Sequence, residues 1–225
     1  MIRKNFNRDW KIIKGSNSSM LSMLMGGGDM STIQLPHDAM IHEKQTPDTK
    51  NGAQTGFYPG AEYVYLKKMY VPEEWLEKTA IVEFEGVYRT AMVYVNGHFV
   101  KKNLCGYTNF YVTLDPFLRY GMENEIKVIA DNAAELNSRW YSGSGIYRDV
   151  KLLVGERIHI PADGVRITTV TANEKYASIE IQTEIRNLLR TKEKIKVKIM
   201  FLYEGEVIAE DIMPVTMFPQ GEETV

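Results

Sequence analysis

Cysteine is almost absent. Cys105 is the single one in 225 residues, so no internal disulfide can form and a disulfide-stapled secreted scaffold is excluded. No apolar run approaches the roughly 20 residues that span a bilayer as a helix. The N-terminal stretch carries Arg3, Lys4, Arg8, Lys11 and Lys14 without the apolar core of about 7–15 residues that a signal peptide needs. A cytoplasmic location without a membrane partner is therefore expected. A surplus of one charge sign is missing as well: 27 Lys and Arg stand against 29 Asp and Glu, a net charge of -2. Nothing in that balance calls for nucleic acid as a partner. With 44% apolar and 25% charged residues the chain has the composition of a folded globular protein.

Helical spacing is scarce too, and a period of two takes its place. Ile179, Ile181, Thr183 and Ile185 alternate with Ser178, Glu180, Gln182 and Glu184, which predicts a half-buried strand over Tyr176–Arg186. Ile195, Val197 and Ile199 alternate with Lys194, Lys196 and Lys198, a lysine row that blunts a solvated strand face. Phe110, Val112 and Leu114 make another inner row, as do Ile126, Val128 and Ala130, and then Ile146, Val150, Leu152 and Val154, with Gly155 ending that last strand. Asn96-Gly97 between Val93-Tyr94-Val95 and Phe99-Val100 predicts a tight hairpin, because a type I′ turn needs positive φ at both central residues. Gly121 marks a further turn. Many short strands with frequent turns point to an all-β sandwich or jelly roll.

A boundary is expected where Glu156, Arg157, His159 and Pro161 interrupt the alternation, giving domains at 1–156 and 157–225. Only 65 residues run from Pro161 to Val225, short of the roughly 100 of an immunoglobulin-like sandwich, so the second domain is expected to be incomplete.

Most motifs of catalytic appearance dissolve on inspection. Gly26-Gly27-Gly28 has no following Gly-Lys-Ser/Thr and reads as a loop, not a phosphate cradle. His37, His42, His98 and His159 fall in different predicted loops and strands without HExxH spacing, so neither a metal nor a cofactor is expected in this segment. His37 and Asp38 are adjacent, which in an extended segment points them apart and makes a catalytic dyad awkward. Met20–Met25 reads either as core filler or as a partner surface, and Asn17-Ser18-Ser19 as a glycosylation acceptor without meaning in the absence of a leader.

Tyrosine is abundant, at 13 of 24 aromatic residues. Its ring packs on the apolar face of a sugar while its hydroxyl hydrogen-bonds, although sandwich cores use tyrosine as well. Arrangement separates the two uses. Asn137 through Gly145 sets Ser138, Arg139, Trp140, Tyr141 and Ser142 beside two flexible glycines, Gly143 and Gly145, and this makes a binding-loop or interface candidate.

Several segments then resemble, in order, the N-terminal region of glycoside hydrolase family 2, the family of β-galactosidases, β-glucuronidases and β-mannosidases. They are Phe6-Asn7-Arg8-Asp9-Trp10, Leu35-Pro36-His37-Asp38, Tyr70-Val71-Pro72, Phe84-Glu85-Gly86-Val87, Val93-Tyr94-Val95-Asn96-Gly97 and Gly106-Tyr107-Thr108-Asn109-Phe110. The most specific is Asp131-Asn132 followed by the run from Ser138 to Val150, which is similar to β-galactosidase-like members. The resemblance implies a galactose-binding-domain-like jelly roll, then part of an immunoglobulin-like sandwich. It also implies a catalytic (β/α)8 barrel beyond both, and hence that this chain is a fragment of a longer enzyme.

A retaining glycosidase needs two carboxylates about 5–5.5 Å apart, and in this family both come from the barrel. Asn124-Glu125 and Asn173-Glu174 repeat the family's Asn-Glu pair but precede strands, so no catalytic residue is expected here. What the resemblance leaves to the jelly roll is the edge of the sugar subsite, contributed by Asn51 and by Ser138, Arg139, Trp140 and Tyr141, with docking of the Ser138–Arg148 segment against the barrel as an equal alternative. Serine at 138 replaces a family aspartate, and Ala39 follows Leu-Pro-His-Asp where the family usually has Trp. The expected partners are a β-galactoside or related glycoside and the chain's own barrel, with homo-oligomerisation left open. A stand-alone carbohydrate-binding module and a purely structural assembly domain remain as alternatives.

Overall fold

The computed structural model describes residues 1–15, 30–133 and 139–225. Asn17-Ser18-Ser19, Met20–Met25, Gly26–Gly28 and Ser138 lie outside the described residues. Two compact units are present, Ile2–Val154 and, with Met1, Gly155–Val225.

The first unit runs β1 (Ile2–Asn5), β2 (Trp10–Gly15), β3 (Ser31–Ile33), β4 (Glu62–Val71), β5 (Lys78–Phe84), β6 (Thr90–Val95), β7 (His98–Asn103), β8 (Phe110–Thr113), β9 (Met122–Asp131) and β10 (Val150–Glu156). Two antiparallel sheets result, a six-stranded one in the order β3-β2-β4-β9-β6-β7 and a four-stranded one in the order β1-β10-β5-β8. Period-two patterning explains why they stack. Tyr65 lies opposite Val128 and Tyr63 opposite Ala130, so β4 and β9 turn the same inner row toward the other sheet. From the four-stranded sheet come Val82, Phe84, Phe110, Val112 and Leu152, buried in the same cluster. Each such fully buried large side chain contributes about 1.5–3 kcal/mol relative to exposure. The unit is the all-β sandwich expected from the alternation.

The Asn96-Gly97 turn is as expected, with φ of 50° and 85° between the paired residues Val95 and His98. The Asn96 side chain also accepts the Glu125 N–H at 3.0 Å, binding the hairpin to β9. Two expectations need correction. Ile146 is buried but stands outside any strand, because its neighbour Gly145 makes only an isolated bridge to Tyr88. Gly155 does not end β10, which continues to Glu156.

In the second unit lie β11 (Ile158–His159), β12 (Val165–Ala172), β13 (Ala177–Asn187), β14 (Glu193–Tyr203), β15 (Glu206–Met217) and β16 (Glu222–Thr224). β11, β12 and β16 all pair with β13, while β14 and β15 form a ribbon. Its core is Ile185, Val197, Val215 and Met217. The row predicted on β13 is therefore buried only at one end: Thr183 and Ile185 are inside, whereas Ile179 is exposed. Lys194, Lys196 and Lys198 face solvent as expected.

Candidate functional site

Four loops of the first unit are tied together, and the segment 139–149 between β9 and β10 is the piece to which the other three bond. From the β3–β4 loop, the His37 and Ala39 N–H groups donate to the carbonyls of Ile146 and Ser144, each at 2.8 Å. From the β5–β6 loop, Tyr88 and Gly145 exchange two backbone hydrogen bonds of 2.8 Å. From the β7–β8 loop, the Gly106 carbonyl accepts the Tyr147 hydroxyl at 2.7 Å.

Glycine makes this convergence sterically possible. At Gly145, with φ of 108°, an added Cβ would stand 2.0 Å from the Tyr65 hydroxyl oxygen. At Gly143, with φ of 71°, it would stand 2.9 Å from the Asp38 carboxylate. Flexibility, the role read from sequence, is not what these glycines supply; they let the Tyr65 hydroxyl and the Asp38 carboxylate approach the backbone closely.

Asp38 is the hub. Its Oδ1 accepts the N–H groups of Ser144 at 2.9 Å and Met40 at 3.0 Å, and its Oδ2 accepts the Tyr141 hydroxyl at 2.6 Å. Burial and then this carboxylate push the Tyr141 hydroxyl well above the ordinary tyrosine range, so it stays a donor. Behind it, buried Asn132 donates from Nδ2 to the Gly143 carbonyl at 3.2 Å and to Ser144 Oγ at 2.6 Å. His37 Nδ1 lies 3.0 Å from the hydroxyl of buried Tyr65, and the short turn Met40–His42 brings His42 back to stack on His37 at 5.4 Å. The expectation that the histidines are dispersed therefore fails for this pair. Burial, followed by the charge of His42, lowers the His37 pKa, and Asp38 opposes the shift.

Two clefts flank the cluster. One, of about 300 Å³, is lined by Asp48, Lys50, Asn51, Gly60 and Ala133 among others. The other, of about 360 Å³, lies between Ile12, Ile33, Lys14, His37, His42 and Tyr63. With three donors already on Asp38, the carboxylate acts as a clamp. The chemistry on offer is hydrogen bonding beside aromatic ring faces, the combination that suits a polyhydroxylated ligand.

Residues 36–155 match the family model described as the sugar binding domain of glycosyl hydrolases family 2, more than half of the chain. The chain belongs to this family. It is 33% identical over 87% of its length to the beta-galactosidase BoGH2A of Bacteroides ovatus, covering 23% of that protein. It is 29% identical over 81% of its length to a beta-glucuronidase of Formosa agariphila, covering 21%. Among solved structures, a glycosyl hydrolase family 2 member from Bacteroides cellulosilyticus superposes on all of the chain with a TM-score of 0.92 at 26% identity, over 30% of that protein. The chain thus spans less than a third of the length of these relatives.

Within this family 2 sugar-binding domain, Arg139, Trp140 and Tyr141 stand on the convergent segment, all exposed. Asn51 is half-buried at the start of the turn Gly52–Thr55, and its loop reaches the segment through Tyr58, whose ring meets that of Tyr141 at 5.5 Å. Asn124-Glu125 lies inside β9, not ahead of a strand as read from sequence, and Asn173-Glu174 lies in the turn between β12 and β13. Buried Asn124 donates to the carbonyls of Arg119 and Met122, and Asn173 Oδ1 accepts the N–H groups of Lys175 and Tyr176. Sequence alone does not single out Tyr58, and it gives Tyr107 and Asn132 only as parts of motifs. Leu-Pro-His-Asp and Asp131-Asn132 are recognisable as motifs, but nothing local shows that Asp38 and Asn132 converge on Ser144.

Proposed function

We propose that the chain is the non-catalytic N-terminal part of a β-galactosidase-like hydrolase of O-glycosidic bonds, and that its loop-bearing end forms one wall of the sugar subsite. The observation that carries this is the tying of three loops onto segment 139–149, in a chain that belongs to the family 2 sugar-binding domain. A β-galactoside is the favoured substrate because BoGH2A, 33% identical over 87% of the chain, is a beta-galactosidase. A β-glucuronide is the competing one, since beta-glucuronidases match as well. The catalytic carboxylates belong to a barrel carried by a longer polypeptide, and Asn51, Arg139 and Tyr141 line the glycosyl unit from this side.

The test pairs two proteins. The 225-residue chain should hydrolyse neither 4-nitrophenyl β-galactoside nor the β-glucuronide, whereas the polypeptide extended through the barrel should cleave the galactoside faster. Arg139→Ala in the longer protein should raise KM with stability unchanged. An extended protein that cleaves neither glycoside would remove the proposal.

A further inference from the structure

Beside the Asp38–Tyr141 clamp lies an aromatic surface that the clamp does not use. Trp140 is 58% exposed and Tyr107 48% exposed, so both rings stand largely in water. They are nevertheless fixed. The Trp140 indole Nε1–H donates to the Tyr107 hydroxyl oxygen at 3.2 Å. The Tyr107 ring meets the ring of buried Tyr88 edge-on at 5.4 Å, and the Tyr88 hydroxyl is hydrogen-bonded to the Tyr107 and Ser142 side chains. The backbone under Tyr107 is held just as firmly. Gly106 packs so tightly on Tyr88 that an added Cβ would stand 2.3 Å from its ring, and the Gly106 carbonyl takes the Tyr147 hydroxyl. The Arg148 guanidinium lies over the Tyr147 ring at 5.3 Å.

An indole and a phenol held rigid but left in water forgo the burial that would stabilise them, and exposed apolar surface of this kind marks an interaction site. The polar surroundings select the partner. Hydroxyls of Tyr107, Tyr88 and Ser142 form a connected row that ends on the indole N–H, so ring faces and hydrogen-bonding groups lie side by side. A pyranose has the matching construction, with apolar C–H faces and a rim of hydroxyls. Trp and Tyr also provide contact area at little entropic cost, since few torsions must be fixed.

We propose that Trp140 and Tyr107 form a second sugar subsite that holds an additional pyranose unit, so that the ligand of this domain is an oligosaccharide of at least two rings. The inference rests on the sugar-handling reading above and extends it from a single glycosyl unit to a chain. One ring on such a shelf binds in the low-millimolar range, roughly 1–5 mM, by the ligand efficiency of small molecules.

The test is an NMR titration of the 225-residue chain, following indole N–H resonances. Of the three tryptophans, buried Trp10 donates to the Phe6 carbonyl and serves as an unresponsive control. The probes are methyl β-galactopyranoside, β-1,4-galactobiose and β-1,4-galactotetraose. The tetraose should shift the Trp140 signal, leave Trp10 in place, and bind at least about fivefold more tightly than the methyl glycoside. Calorimetry should show Trp140→Ala weakening tetraose binding at least about fivefold, and Tyr107→Phe, which keeps the ring, only about twofold. Both variants should keep the wild-type melting temperature. No Trp140 shift with any probe overturns the shelf, as does tetraose affinity that is unchanged in Trp140→Ala. A shelf that binds no sugar but whose loss lowers the melting temperature of the extended protein is a docking face, which also overturns the inference. In each case hydrolysis by the extended protein still decides the proposed function separately.

Discussion

The Asp38 carboxylate accepts the Tyr141 hydroxyl at 2.6 Å from a position 103 residues away in sequence. The same carboxylate takes two backbone N–H groups, one of them from Ser144. The segment 139–149 is thus pinned by one side chain, and hydrogen bonds of this kind contribute about 0.5–1.5 kcal/mol each. Asp38→Ala is expected to cost about 2–4 kcal/mol, read as a lowered urea midpoint of the 225-residue chain. Asp38→Asn retains an acceptor oxygen for the two N–H groups and should cost less than half as much. Equal losses in the two variants would show that the carboxylate charge is what matters.

A steric prediction concerns Gly145. Alanine there meets the Tyr65 hydroxyl and also a φ of 108° that side-chain-bearing residues rarely adopt. Gly145→Ala should destabilise by about 3 kcal/mol or more. Adding Tyr65→Phe removes the oxygen that the new methyl strikes, so the double variant should recover part of the loss while the backbone penalty stays. A double-mutant cycle in urea measures this, and strict additivity would mean that the clash is relieved elsewhere.

Local pattern explains why the sandwich was legible and the site was not. Alternation along β9 and the Asn96-Gly97 turn are decided by near neighbours, and both appear as read. The pairings that build the site, Asp38 with Tyr141, Tyr88 with Gly145 and Tyr107 with Trp140, join loops far apart in sequence, and no periodicity records them. Even the one local case was hidden: His37 and His42 stack because a single short turn intervenes, where the sequence placed the histidines in different loops and strands. The second unit shows the same limit, since the even alternation of β13 does not say that only its Thr183–Ile185 end finds partners.

The His37 shift has a consequence for pH dependence. Its folded pKa lies below the ordinary 6.5, held there by burial and then by His42, against the pull of Asp38. Lys14 and Tyr63 line the cleft that it faces. The unfolded chain therefore binds this proton more readily than the folded one. The contribution to stability is complete above pH 6.5 and is lost as the pH falls from there through the folded pKa. Melting followed by near-ultraviolet circular dichroism at pH 7.5 and 5.5 should show a larger drop for the wild type than for His37→Asn, by about 1–3 °C. A drop of the same size in both would place the acid sensitivity elsewhere.

The opposite sign is expected at Glu62, which faces Asp131 directly across β4 and β9. Burial and then the Asp131 charge raise the Glu62 pKa, so the folded state holds this proton more firmly than the unfolded chain does. Its contribution is favourable at low pH and is lost as the pH rises through the ordinary carboxylate range to the folded value. At neutral pH two like charges then oppose each other on adjacent strands, an arrangement tolerated because Gly15, paired with Glu62 on the other side, leaves room for the side chain. Glu62→Gln removes the repulsion and should stabilise the protein at pH 7 by about 0.2–1 kcal/mol, a rise of about 1–3 °C in melting temperature. At pH 4, where Glu62 is already largely protonated, the gain should vanish. A Glu62→Gln protein that melts below the wild type at pH 7 would mean that the carboxylate has a stabilising partner outweighing Asp131.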